Sequence, residues 1–220
     1  MKTRIFLVRH GATTLSNEDR FAGSTDVPLG DNGRFQVERL SARLEAAPLT
    51  AAYSSPMRRT IETAEVVARP HGLQPTLVDA LREIDHGHWE GRRRADVQAA
   101  FPDEYAAWEH DPFTCAPVGG ESGLQVLARA LPAMEQIVRR HPGESVLVVS
   151  HKATNRLVIA SLIGLELRGY RDRLDQLPAC LNLLEFNDVG NVRLVLLNDI
   201  SHYESVEIGS GMTTAGSPHD

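Results

Sequence analysis

Two short runs, Ile5-Phe6-Leu7-Val8 and Val146-Leu147-Val148-Val149, are apolar at every position. That pattern predicts strands buried on both faces. Ala51–Tyr53, Pro75–Val78, Leu181–Phe186 and Val192–Leu197 predict further strands, the last two joined by a turn at Asn187-Asp188-Val189-Gly190-Asn191. Between the strands the apolar spacing lengthens to three and four. Arg34 to Leu44 reads as a helix, with Phe35, Val37, Leu40 and Leu44 near one face and Asp31 or Asn32 as its cap. Ser55-Pro56 reads as N-cap and first helical position of a helix running to about Ala68. A longer helix runs from Glu121 or Ser122 to His141, stopped by Pro142-Gly143, and another spans about Ala153 to Leu162. From Asp85 to Gly120 the periodicity weakens. Trp89, Phe101, Tyr105, Trp108 and Phe113 gather there among Pro102, Pro112 and Pro117. This allows two short helices at most and reads as a small helical lid inserted over the sheet. Strands alternating with helices predict an α/β fold, a three-layer α/β/α sandwich around a mostly parallel sheet.

The chain has 220 residues, which suits one domain, here over residues 1–210, with a small polar tail over 211–220 expected to fray. No run of about 18 apolar residues occurs, so no transmembrane helix is expected. The first apolar run is broken at once by Arg9-His10-Gly11, too early for a signal-peptide core, so a cytoplasmic location is expected. Cys115 and Cys180 lack CxxC or zinc spacing and read as two buried free thiols in a reducing compartment. The formal net charge of -6 disfavours a nucleic-acid or anionic-membrane partner. An anionic ligand must therefore meet a local basic cluster. Of the 23 basic residues, all but Lys2 and Lys152 are arginine, the better bidentate phosphate ligand.

In an open α/β sheet, ligands sit beyond the carboxyl ends of the strands. Two of the buried strands end in Arg9-His10-Gly11 and Ser150-His151-Lys152, each His two positions past the last apolar residue. A single such His is usually structural, but two at equivalent strand ends suggest a site. Gly11 would let the backbone approach a ligand closely.

Leu7-Val8-Arg9-His10-Gly11-Ala12-Thr13 resembles the signature of the histidine phosphatase superfamily, in its phosphoglycerate-mutase-like branch. The resemblance continues through Arg20-Phe21-Ala22-Gly23, Asp26-Val27-Pro28-Leu29 and Gly33, then Ser54 to Ala64, where Arg59 is followed by Thr63-Ala64. Leu81-Arg82-Glu83-Ile84-Asp85-His86-Gly87-His88-Trp89-Glu90-Gly91, Gly119-Gly120-Glu121-Ser122 and Val148-Val149-Ser150-His151 complete it. Five ordered blocks over most of the chain make the match specific.

The resemblance implies a phosphoglycerate-mutase-like fold and phosphoryl transfer through a phosphohistidine, with no metal and no cofactor. His10 would be the nucleophile, its other ring nitrogen held by a hydrogen bond to backbone. Arg9, Arg59 and a protonated His151 would neutralise the phosphate oxygens, and Glu83 would protonate the leaving alkoxide. Gly23 falls among the substrate-binding positions. The family usually has Asn six residues after the nucleophile; here Ser16 stands there and Asn17 follows, and either could contact phosphate. Lys152 replaces the usual small residue after the second His. Its N–H could face phosphate, and its side chain could meet an acidic group of the substrate or point to solvent. His86, three residues past Glu83, could reach the body of the leaving group or brace its loop against Trp89. Arg92-Arg93-Arg94 reads either as a solvated turn or as a rim that steers anions. The partner implied is a small phosphorylated metabolite such as phosphoserine, glucosyl-3-phosphoglycerate or ribazole phosphate. A homodimer is compatible with the sequence. The alternative activity is a phosphoglycerate mutase, but mutases of this family usually carry a longer segment over the site than Glu83 to His151 provides. A binding protein that had lost its chemistry would lack His10, Arg59, Glu83 or His151, and all four are present.

Overall fold

The computed structural model describes residues 2–14, 19–187 and 191–203. Its strands are β1 (Thr3–Arg9), β2 (Leu49–Ser54), β3 (Thr76–Leu77), β4 (Ser145–Ser150), β5 (Leu181–Phe186) and β6 (Val192–Asp199). Its helices are α1 (Asp31–Leu44), α2 (Arg58–Ala68), α3 (Arg94–Ala100), α4 (Pro102–His110), α5 (Gly123–Arg140), α6 (Lys152–Leu162) and α7 (Tyr170–Arg173). The strands form one sheet in the order β3-β2-β4-β1-β5-β6. β3, β2, β4 and β1 pair in parallel; β5 is antiparallel to both its neighbours.

Side chains alternate across the two central strands, as the pleat requires. Ile5, Leu7, Val146 and Val148 pack on one face with Val126, Met134 and Leu157 of α5 and α6. Val8, Leu147 and Val149 pack on the other with Val37, Leu40 and Val67 of α1 and α2. Both faces are therefore dry, which is why β1 and β4 read as unbroken apolar runs. A third, separate cluster joins Phe21, Trp89, Val97, Tyr105 and Trp108. This cluster is the core of the segment expected to form a lid, whose two short helices are α3 and α4.

Several local expectations are corrected. α1 begins at Asp31 after Gly30, so neither Asp31 nor Asn32 is its cap, and Phe35 is 55% exposed rather than on the buried face. Phe35 stands two residues from Val37, which a helix turns about 200° away. Ser55-Pro56 does not open α2. The Ser55 N–H bonds to Val149 O at 3.0 Å, which holds the chain in the sheet, and the helix starts at Arg58 after Met57. α7 was not expected. Cys180 is buried, but Cys115 is only partly so. The residue-210 boundary, the tail and part of the β5–β6 turn lie outside the described residues. Among those described, no helix is long and apolar enough to cross a membrane.

Candidate active site

β1 and β4 are adjacent and parallel, with Arg9 opposite Ser150. The chain leaves both strands at the same level, so His10 and His151 meet edge to face with ring centroids 5.2 Å apart. His10 Nδ1 lies 2.8 Å from Gly11 O. Only a protonated Nδ1 bonds a carbonyl, so the geometry assigns the tautomer and leaves a lone pair on Nε2. Arg59 Nε donates to that Nε2 at 3.2 Å. Burial first, then the Arg59 and Arg9 cations, hold His10 well below the ordinary histidine pKa. His10 is therefore a neutral, oriented imidazole, anchored through backbone as expected.

His151 is expected to be protonated against phosphate; its neighbours in the structure oppose this. It is fully buried, and burial followed by Arg59, His10 and Arg9 pushes its pKa well below 6.5. A further cation in that company is disfavoured. His151 Nε2 sits 2.8 Å from Ser55 Oγ, which also accepts the Met57 N–H at 3.4 Å. His151 Nδ1 is buried without a hydrogen bond among the described residues, so it is the ring nitrogen left open to a ligand.

Arg59 is 3% exposed on α2. Its Nη1 and Nη2 donate to Thr25 O at 2.8 Å and Gly23 O at 2.9 Å. Arg9 is held from the opposite side through Nη1 to Gln176 O at 2.6 Å. Glu83 is fixed at the start of α6, its carboxylate accepting from the Ala153 and Thr154 N–H groups at 3.1 and 3.2 Å. His10, Arg9, Arg59 and Glu83 share one cleft of about 470 Å³.

The other expected residues divide. Ser16 and Asn17 lie outside the described residues. Gly23 does not line the cleft. Its N–H donates to Glu90 Oε1 at 2.9 Å and its carbonyl holds Arg59, so it positions rather than contacts. A Cβ there would lie 1.8 Å from Ile84 O, which is why glycine is required. Gly11 is likewise a packing glycine. A Cβ would come within 2.7 Å of Gly33 O on α1, so the close approach is to helix rather than to ligand. His86 lines the cleft, edge-on to Phe21 at 4.9 Å and Trp108 at 6.2 Å, with its Nδ1 buried and without a hydrogen bond among the described residues. Burial keeps its pKa below 6.5 against the pull of Glu90 and Glu83. Lys152 lines the cleft too. The arginine triplet splits: Arg93 is exposed, whereas Arg94 enters the cleft over the rings of Phe21 and Trp108 at 5.3 and 5.5 Å.

Four contributors were missed. Glu90, quoted above without a role, accepts N–H groups from Gly23, Ser24, Thr25 and His86, the Thr25 hydroxyl adding a bond at 2.8 Å. Burial alone would raise its pKa, but bonds from Ser24, His86 and Thr25 outweigh this and hold it below the usual carboxylate range. The loop that grips Arg59 is thus tied to the lid. Gln176 holds Arg9 from a segment with no motif. Arg156 and Arg171 line the cleft, and the i, i+4 spacing of Lys152 and Arg156 was the one signal available for the former. Among the described residues, no three His, Cys, Asp or Glu side chains gather as a metal would need.

A sequence profile of the histidine phosphatase superfamily, branch 1, matches residues 5–200. Phosphoserine phosphatase 1 of Hydrogenobacter thermophilus is 32% identical over 74% of this chain and 78% of its own length. The structure of Bacillus stearothermophilus YhfR superposes with a TM-score of 0.86 at 33% identity, covering 92% of this chain and 100% of that one. A mycobacterial glucosyl-3-phosphoglycerate phosphatase, solved with inorganic phosphate, gives 0.79 at 28% identity over 91% and 99% of the two chains. A bifunctional protein of Mycobacterium tuberculosis is 35% identical over 88% of this chain, which spans about half (53%) of its length.

Proposed function

The chain belongs to the histidine phosphatase superfamily, branch 1, and from that membership we infer how its cleft works. It is a phosphoric monoester hydrolase acting on small phosphorylated compounds. The observation that carries the mechanism is His10 itself: Nδ1 anchored on Gly11 O, and Nε2 keeping a lone pair that accepts from Arg59 Nε.

In the proposed cycle His10 Nε2 attacks phosphorus in line with the ester oxygen. A P–N bond forms as the P–O bond breaks, and the alkoxide takes a proton from Glu83. Water then attacks the phosphohistidine, giving its proton to Glu83 and returning the lone pair to His10. Charge on the equatorial oxygens is met by Arg9 and Arg59, whose guanidiniums are fixed by carbonyls before substrate arrives. His151 contributes a hydrogen bond from Nδ1–H. The incoming phosphate dianion also offsets the cations that depress its pKa, so it gains positive character when it is useful.

The test is a screen of phosphorylated metabolites for phosphate release, with acid-labile labelling of His10 read in parallel. Including 3-phosphoglycerate with and without a bisphosphate primer separates hydrolysis from mutase chemistry. Hydrolysis with a labile phosphoenzyme is expected; isomerisation without net release would overturn it.

A further inference from the structure

The cleft holds more positive charge than one phosphate needs. Seven of its lining residues are Arg or Lys and only Asp19 and Glu83 are acidic, in a chain whose net charge is -6. Arg9 and Arg59 serve the phosphate end. Arg94 and Arg171 have acidic company in Glu109, at 3.4 and 3.1 Å, and lie on the ring of Trp108. Lys152 and Arg156 are different. They stand four residues apart on α6, so they share one helix face. The Lys152 side chain, which is exposed, makes no hydrogen bond or ion pair among the described residues. Arg156 is only 11% exposed, its Nε is buried without a hydrogen bond among the described residues, its one ion pair among them is with Asp175 at 3.6 Å, itself 83% exposed, and Glu83 and Asp172 act on it from further away. Burial first, then each other's charge and that of Arg9, lower the pKa of Lys152, and burial does the same for Arg156. Two neighbouring cations on one wall of a cleft, one of them buried with an unpaired Nε, favour an anion between them.

Resting on the phosphatase reading above, we propose that Lys152 and Arg156 form a subsite for a second anionic group on the substrate. That group, a carboxylate or a further phosphate, lies on the leaving-group side of the phosphoryl centre. The planar guanidinium of Arg156 suits a two-oxygen contact, and the ammonium of Lys152 adds an adjustable point charge.

Matched substrate pairs test this. 3-Phosphoglycerate and glycerol 3-phosphate differ by a carboxylate against a hydroxymethyl group; fructose 1,6-bisphosphate and fructose 6-phosphate differ by the second phosphate. The protein should show a kcat/KM at least about tenfold higher for the more anionic member of one pair, and which pair responds identifies the group. In Lys152→Met and in Arg156→Met that preference should fall about tenfold, mainly through KM, and Lys152→Arg should restore most of it. Should either Met variant fail to fold, the wild-type ratios decide alone. Equal rates within both pairs, with the neutral esters still hydrolysed, would overturn the subsite and leave the phosphatase reading intact. No phosphate released from any of the four esters or from p-nitrophenyl phosphate would instead overturn the reading on which it rests.

Discussion

At the phosphate end of the cleft, every group is fixed by the sheet or by a backbone carbonyl. His10 hangs on Gly11 O, Arg59 on Gly23 O and Thr25 O, Arg9 on Gln176 O. At the leaving-group end, the walls are side chains from α3, α6, α7 and the lid, braced by stacking on Phe21 and Trp108. The phosphoryl group is the same in every substrate, so its receptor gains from rigidity, which lowers reorganisation during reaction. The leaving group differs from substrate to substrate, so its receptor is made of parts that change without disturbing the sheet. In the proposed cycle, chemistry and selectivity fall to separate structures within one cavity.

If the division is real, substitutions at the first end should lower turnover of every ester, and those at the second should reorder substrates. The largest effect belongs to His10→Ala, which should abolish acid-labile labelling and cut kcat by roughly 10⁴-fold or more, read by trapping and steady-state assay. His151→Ala removes a hydrogen bond rather than the nucleophile. It should slow labelling by on the order of 10²–10³-fold without changing the labelled residue. Arg59→Lys keeps the charge but cannot reach Gly23 O, Thr25 O and His10 together, so a loss of similar size is expected for all esters alike.

His86→Ala probes the second end. Loss of one hydrogen bond to the leaving group should lower kcat/KM for the preferred metabolite by about 5- to 100-fold, corresponding to roughly 1–3 kcal/mol. The fall should be clearly smaller for p-nitrophenyl phosphate, which offers no such group. Equal losses on both would assign His86 to the loop or the chemistry.

pH separates the ends from the rest of the molecule. Both site histidines have pKa values lowered well below 6.5 in the folded state, so kcat/KM should stay level down through pH 6.5 and fall only in more acidic solution. Stability follows the same sign. His202 is pushed down to about 4 by burial and by Arg43, so protonation favours the unfolded chain. Its contribution is complete above about pH 6.5 and is lost as pH falls towards 4. Urea midpoints across that range should drop, and His202→Asn should flatten part of the slope. The smallest expected effect is that of EDTA, which should leave hydrolysis unchanged because Arg9 and Arg59 supply the positive charge. Activity lost on chelation and restored by one divalent metal would sink the metal-free cycle.

The legible parts of the molecule were those with local causes. β1 and β4 were visible because burial on both faces leaves every position apolar. The proposed catalytic set was visible because His10, Arg59, Glu83 and His151 each sit inside a short block of fixed spacing. Arg156, Arg171 and Gln176 carry no such block; a lone arginine on a helix has the same local sequence whether it faces water or a cleft. Glu90 stood within a recognised block, yet its four N–H partners include three from a loop about 65 residues away in sequence, which no local pattern records.

The chain's order of residues determined the layered α/β fold and the central strand pair and pointed to the proposed reacting groups, because hydrophobic period and motif spacing are local properties. The charge environment of His151 was decided only by tertiary structure: a buried imidazole beside two guanidiniums and a second imidazole does not readily hold a proton, and those neighbours come from β1, the residue that follows it and α2. The sites of Gly11 and Gly23 were decided the same way, by backbone from Gly33 and Ile84 passing too close for a Cβ. So was the second cationic wall of the cleft, since charge density in a cavity depends on which helices converge there and not on their separation along the chain.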